Sequence, residues 1–292
     1  MSPASEAIVG QHERRVAQRW GRESARRLQT RGKPYNNIGY WKDRPVDLDD
    51  ASQRLLREAA LRADLGPESR VLDVGCGFGQ SSIDIRRDYG CRRVVGVDLT
   101  PEHIQFATRL AEKEGLGESV QFAQMSATRL VFPDESFDCV IAVDCACQFL
   151  TRAEFFKEAS RVLTAGGCLV LADAVVPPPP SRGLRGLLAR FLVKAWSIPE
   201  QNIGSVDTYV GALERAGFSA IDAADIGVHV YGPVSEYLNG SPYREKYRAV
   251  NGLGRVMLMG FLFRQMAHAS ARGELHYYLF KAVKPRQSRS AS

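Results

Sequence analysis

The sequence predicts an α/β protein built on a doubly wound, mostly parallel sheet of seven strands with helical cap insertions. Three observations predict it. Short apolar runs alternate with amphipathic segments along most of the chain. The first such run, Val71-Leu72-Asp73-Val74, breaks into a glycine-rich turn, Gly75-Cys76-Gly77-Phe78-Gly79. A second run, Val94-Val95-Gly96-Val97, ends on Asp98, nineteen residues after Gly79. Strand, turn, helix, strand and acid in that order describe a βαβ unit whose acid is placed to accept hydrogen bonds from a ribose diol.

The elements follow in order. A helix is expected from about Asp49 to Ala63, where Leu55, Leu56, Ala59, Ala60 and Ala63 form one stripe. The run at Val71 is short, apolar and bounded by glycine, as a buried parallel strand is. Ile83 and Ile85 among polar residues make Gln80 to Tyr89 a short helix. Pro101 opens the next helix, where its missing N–H is no loss, and that helix runs to about Gly115. Val120 to Ala123 reads as the third strand and Phe137 to Val143 as the fourth. Ala153 to Val162 is the helix after it, and Cys168 to Ala174 the fifth strand. A helix from Val206 to Ala216, stopped by Gly217, leads to a sixth strand near Ala220 to Val230, and His276 to Val283 supplies a seventh.

Glycine spacing separates two kinds of nucleoside-binding turn. Dinucleotide enzymes carry G-x-G-x-x-G, shaped around a pyrophosphate. Here Gly75, Gly77 and Gly79 give G-x-G-x-G, with Asp73 two residues before the first glycine. Val71 to Gly79 resembles the first motif of the class I S-adenosylmethionine-dependent methyltransferases, roughly (V/I)LD(V/I)GCGxG. Asn37 to Trp41, Phe137-Asp138 and Arg161 to Gly167, with Ala165 in place of proline, extend the resemblance over roughly residues 35 to 230.

The resemblance implies the Rossmann-like methyltransferase fold with its strand order, the last two strands antiparallel, and S-adenosyl-L-methionine as cofactor. It implies a cofactor site in which Asp73, Gly75, Cys76, Gly77 and Gly79 meet the methionine part and Asp98, with Leu99, the ribose. Ser126 and Ala127 meet the adenine, and Asp144 follows the fourth strand. Two positions depart from the pattern. Family members often place an acid where Ser126 stands, and small-molecule members often place a general-base histidine where this chain has Gln148. Gln cannot take a proton at neutral pH. The candidate catalytic residues are therefore Asp173 at the end of the fifth strand and His229 near the end of the sixth, besides Gln148 itself. Positioning alone also accelerates an in-line methyl displacement.

Composition bounds the rest. With 292 residues and 45% hydrophobic content the chain can bury a large core. Residues 1–48 read as an N-terminal helical lid in which Trp20, Tyr35, Tyr40 and Trp41 close over the cofactor, and 49–292 as the methyltransferase domain, with caps at about 177–202 and 234–270. The net charge of +6 concentrates at Arg14, Arg15, Arg19, Arg22, Arg26, Arg27 and Arg31, and again at Arg182, Arg185, Arg190 and Lys194. Such runs are ordinarily solvated faces, and no nucleic acid partner is expected. No Asn-Pro-Pro-Tyr follows the fourth strand and no Pro-Cys pair is present, which disfavours nucleobase methylation.

Six cysteines without C-x-x-C spacing suggest free thiols in a reducing compartment, and no metal site. The N-terminus lacks the apolar core of a secretory signal, and no run of eighteen apolar residues is long enough to span a bilayer, so the expectation is a cytoplasmic enzyme without integral membrane association. Pro177 to Pro180 stiffen the start of the first cap, followed by Leu184, Leu187, Leu188, Phe191, Leu192 and Trp196 at helical spacing. Val256 to Phe263 is too continuously apolar for a surface helix. These residues are expected mostly as core, the remainder lining an apolar acceptor site or a homodimer contact.

The expected activity is methyl transfer to a hydroxyl of an apolar small-molecule secondary metabolite. Two alternatives stand beside it. One is Mg²⁺-assisted C-methylation of a prenyl diphosphate held by Arg182 and Arg185, and the other a cofactor-binding scaffold that does not methylate.

Overall fold

Burial on both faces turns the apolar runs into one sheet. The computed structural model describes residues 10–22, 32–180 and 182–286. Its strands are β1 (Arg70–Val74), β2 (Arg93–Asp98), β3 (Val120–Gln124), β4 (Phe137–Val143), β5 (Leu163–Val175), β6 (Ser219–Asp225) and β7 (His276–Val283), in the spatial order β3-β2-β1-β4-β5-β7-β6. The last two pair antiparallel as expected; β7 runs against both β5 and β6, and every other pairing is parallel.

The helices are α1 (residues 10–22), α2 (Leu48–Ala63), α3 (Gln80–Tyr89), α4 (Pro101–Lys113) and α5 (Arg152–Val162) in the first half. They continue with α6 (Gly183–Ala195), α7 (Val206–Arg215), α8 (Tyr231–Asn239), α9 (Ser241–Asn251) and α10 (Leu253–Ala271). Local chemistry sets their starts. Asp47 caps α2 by accepting from the Asp50 N–H at 2.9 Å, Pro101 sits in the first turn of α4, and Ser205 caps α7.

Successive strand residues point to opposite faces, and the core divides accordingly. Val71, Val94 and Ile141 pack with Leu55 of α2, Ile83 of α3 and Ala111 of α4 on one face. Leu72, Val95 and Val140 pack with Phe155 and Phe156 of α5 and Leu213 of α7 on the other. Each strand end therefore opens between two layers of helices, where α/β proteins place ligands.

Several expectations change. Strand β5 begins at Leu163 instead of Cys168, because Leu163 pairs with Phe137 and an irregularity between Phe137 and Cys139 absorbs the extra residues. Strand β6 stops at Asp225, and residues 227–229 form a 3₁₀ turn that removes His229 from the strand. Of the expected lid, only residues 10–22 are helical among the described residues. Tyr35, Tyr40 and Trp41 are buried core residues, Tyr40 meeting His229 edge-on and Trp41 packing on Tyr237. Residues 1–9 and 23–31 of the lid, with Arg26, Arg27 and Arg31, lie outside the described residues. The caps are less buried than their composition suggests. Leu184 and Phe191 of α6 are 81% and 52% exposed, and Met257, Leu258 and Phe261 of α10 are exposed as well. Helix α10 buries only Val256, Gly260, Leu262, Phe263 and Met266, so much of the continuous run faces outward.

Arg70 and Asp138 clamp the entry to the sheet. The guanidinium donates to both carboxylate oxygens at 3.0 and 2.8 Å, and the Arg70 N–H donates to one of them at 2.9 Å. The Arg70 hydrogen bonds hold Asp138 below the usual carboxylate range against partial burial. A depressed carboxylate pKa stabilises the fold above the unfolded value and loses that contribution as pH falls through the folded one. The difference in thermal midpoint between wild type and Asp138→Asn is therefore expected to be widest at neutral pH and to close on acidification below the carboxylate range.

Candidate functional site

The turn after β1 approaches its neighbours too closely for side chains. Gly75 and Gly79 have φ of 73° and 82°. A Cβ on Gly75 would lie 2.7 Å from Cys145 Sγ, and one on Gly79 2.6 Å from Ala107 Cβ and the Phe122 ring. Backbone donors hold the turn to β2: the Gly75 and Cys76 N–H groups donate to the Val97 carbonyl at 2.8 and 3.1 Å, and the Gly77 N–H donates to Asp98 Oδ2 at 3.0 Å. Asp73 serves the start of α3, accepting from the hydroxyls of Ser81 and Ser82 at 2.7 and 2.6 Å. Burial raises its pKa, and the two hydroxyls oppose that shift.

Asp98 is the electrostatic centre. Its Oδ1 accepts from the Thr100 N–H at 2.8 Å and from His103 Nδ1 at 3.3 Å. Burial pushes its pKa up, but the hydrogen bonds from His103 and Thr100, with the charge interaction of His103, outweigh it and leave the carboxylate below its ordinary range. It remains ionised at neutral pH, as an acceptor of hydroxyl protons must.

A slot of about 70 Å³ runs from this point along the strand ends. Of the expected residues, Gly75, Asp98, Leu99, Ser126, Ala127, Asp144 and Gln148 line it. Asp73 and Cys76 line a recess of about 20 Å³ that shares Gly75 and Asn36 with the slot, and Gly77 and Gly79 line neither. The outer wall is α1, through His12, Glu13, Val16 and Trp20. Glu13 Oε1 accepts from Ser126 Oγ at 2.5 Å, His12 Nε2 donates to the Gln148 carbonyl at 2.9 Å, and Trp20 Nε1 donates to Gln148 Oε1 at 3.0 Å. Gln148 Nε2 in turn donates to the Trp196 carbonyl at 3.1 Å. Gln148 thus joins α1 to the end of α6.

Two larger apolar cavities adjoin the slot. One, of about 320 Å³, is lined by Pro177 to Pro180, Leu192, Trp196, Tyr231 and Met266. The other, of about 430 Å³, lies among Phe191, Leu238, Tyr243, Tyr247, Arg255 and Met259. Asp144 lines both the slot and the first of these, Trp20 both the slot and the second, and Ile38 both larger cavities. Asp144 has a φ of 58°, and its Oδ2 accepts from the Ile38 N–H at 3.1 Å. Short polar residues tolerate this left-handed conformation best.

Two expected catalytic residues lie elsewhere. Asp173 has no exposed surface and lines neither the slot nor the larger cavities. Its carboxylate accepts from the Cys147 N–H at 2.9 Å and the Tyr209 hydroxyl at 3.1 Å, with Arg152 Nη2 at 3.4 Å. Burial raises its pKa; Arg152 and the Cys147 N–H oppose the rise. His229 packs against Tyr40, its carbonyl accepts from the Trp41 N–H, and it lines none of the three cavities.

Sequence reasoning missed His12, Glu13, His103, Arg152, Asn202 and Tyr209. Asn202 Nδ2 donates to the Cys147 and Phe149 carbonyls, so residues 145–149 are held from two sides. Only His103 carried a signal, as a polar residue in the first turn of the helix that follows Asp98. Glu13 and Ser126 are 113 positions apart, and no spacing rule connects them.

The sequence profile of a methyltransferase domain matches residues 71–167. The erythromycin 3''-O-methyltransferase of Saccharopolyspora erythraea is 35% identical over 70% of this chain and 68% of its own length. The 27-O-demethylrifamycin SV methyltransferase of Amycolatopsis mediterranei is 31% identical over 64% of this chain and 68% of its own. Among solved structures, the [4+2]-cyclase SpnF superposes with a TM-score of 0.74 at 22% identity, over 94% of this chain and 97% of that one.

The close approach at Gly75 gives a direct check on the turn. Gly75→Ala is expected to lower unfolding free energy by about 2–5 kcal/mol, combining the left-handed penalty of an L residue with overpacking against Cys145. A urea denaturation midpoint equal to wild type would contradict this geometry.

Proposed function

The chain belongs to the class I S-adenosylmethionine-dependent methyltransferases, and from that premise we propose that it methylates a hydroxyl of an apolar small-molecule secondary metabolite. One observation carries the reading: Asp144 lines the slot beside Asp98 and the 320 Å³ apolar cavity together. That residue marks the place where a donor in the first and an acceptor in the second meet. The erythromycin 3''-O-methyltransferase and the 27-O-demethylrifamycin SV methyltransferase, whose names specify methylation of oxygen on a small molecule, support the choice of substrate class.

The residues present fit the cofactor. Gly75 lines the slot with backbone alone, and Asp98 is held ionised beside the Gly77 N–H. When bound, S-adenosylmethionine would supply a sulfonium methyl open to in-line attack by an acceptor oxygen, with the thioether leaving on the electron pair of the broken C–S bond. Asp98 accepts the ribose hydroxyls, and the Gly75 backbone borders the methionine part. Asp144 takes the hydroxyl proton. Alkylation makes the oxygen far more acidic than the free alcohol, so a carboxylate is a sufficient base while the bond forms. Asp173 acts on this site only by holding the Cys147 N–H, and Gln148 by holding α1.

The diphosphate alternative is less well supported. Arg182 and Arg185 are exposed and line none of the three cavities. Six free thiols among the described residues support a reducing compartment, the cytoplasm, and no described helix is long and apolar enough to cross a membrane.

Incubation with methyl-labelled cofactor and a panel of hydroxylated macrolides and aromatic polyketides tests the reading, with label expected in an ether. Label on carbon, or in no product, counts against it. Asp98→Ala is expected to weaken cofactor binding by about 1–3 kcal/mol by calorimetry, the range for a charged hydrogen bond. Asp144→Asn is expected to lower kcat about 10²- to 10⁴-fold with cofactor affinity retained; a kcat near wild type would remove Asp144 as the base.

A further inference from the structure

We propose that Glu13, carried on α1, reads the exocyclic amino group of the cofactor's adenine and so sets the nucleobase specificity of the site. The inference rests on the slot being the cofactor site, as proposed above. Strand β3 lies beside β2 in the sheet, so a nucleoside with its ribose on Asp98 extends its base toward the turn that follows β3. Leu99, Met125 and Ala127 supply apolar surface there from the sheet side, and Val16 and Phe149 supply it from α1 and the loop after β4. These side chains suit the faces of a flat ring. The edge of the ring then meets the turn at residues 126–128, where the backbone places no acid of its own.

Glu13 fills that place from outside the sheet. Its Oε1 accepts from Ser126 Oγ at 2.5 Å and lies 3.5 Å from Thr128 Oγ1, while the Thr128 N–H donates to Ser126 Oγ at 3.1 Å. Two hydroxyls from one turn thus fix the carboxylate at the end of the slot. An ionised carboxylate only accepts hydrogen bonds. It therefore favours a 6-amino purine edge and disfavours a 6-oxo edge. Docking of α1 does not depend on this contact alone, since His12 and Trp20 each bond to Gln148 independently. The charge of Glu13 is separable from the position of its helix.

Titration calorimetry of the full chain with S-adenosylhomocysteine and S-inosylhomocysteine separates these roles. Wild type is expected to favour the adenosyl ligand by about tenfold or more, the value of one charge-assisted hydrogen bond. Glu13→Gln, whose amide can donate to a 6-oxo group as well as accept from a 6-amino group, is expected to reduce that preference to about threefold or less without weakening the inosyl ligand. An unchanged preference would overturn the assignment. So would an equal loss for both ligands, which would make Glu13 only a docking contact for α1. Ser126→Ala keeps the carboxylate and removes one hydroxyl that orients it, so a smaller fall in preference is expected; a fall larger than that of Glu13→Gln would make the serine the reader. Failure of wild type to bind either ligand would remove the cofactor site itself, a result distinct from any statement about Glu13.

Discussion

The hydrogen bond from the Gly77 N–H to Asp98 ties the turn after β1 to the end of β2, and the rest of the site is built outward from that tie. The turn can reach the carboxylate only because its backbone runs through left-handed conformations without side chains. The carboxylate stays charged only because Thr100 and His103 complete its shell. Removing either condition changes the other: a turn with side chains would be displaced from β2, and a protonated Asp98 would accept the Gly77 N–H more weakly. Geometry and charge are therefore set by the same few atoms.

A second buried carboxylate does the opposite work. Asp173 is enclosed with Arg152 and Tyr209, whose ring stacks on Phe280 at 4.2 Å. Burial favours the neutral acid, while Arg152 and two hydrogen bonds favour the ion. Its position beneath Cys147 holds residues 145–149, and Asn202 holds the same loop from the insertion side. The loop that carries Asp144 into the slot is thereby fixed by groups that line neither the slot nor the two larger cavities. A carboxylate at the end of a strand can have either role, and only its surroundings distinguish them.

Much of this was legible in the chain. The glycine turn, Asp98 and the alternation of strands and helices come from local chemistry: apolar periodicity, glycine where φ is positive, a proline at a helix start. The fourth and seventh strands and α3 fall where their patterns place them. What escaped was non-local. His229 looked like the end of a strand because Ile226 and Val228 continue its alternation, but the backbone turns at 227. The apolar runs of α6 and α10 suggested core, and half of that surface faces outward, since composition records hydrophobicity but not which side a neighbour covers. Asp144 follows the fourth strand as expected, but its position between two cavities depends on α6, α8 and the residues around Ile38, far from it in sequence. Glu13 depends on a helix crossing the sheet from the far end of the chain.

The narrowness of the slot has a kinetic meaning. At about 70 Å³ it is well below the roughly 300–1,000 Å³ of small-molecule sites, because side chains of α1 lean into it. His12, Glu13, Val16 and Trp20 of that helix form the wall between the slot and its outer side. A ligand leaving the slot past that wall would have to break the contacts of α1 to Ser126 and Gln148. Firmer seating of α1 by those three hydrogen bonds would then lengthen residence at the expense of turnover.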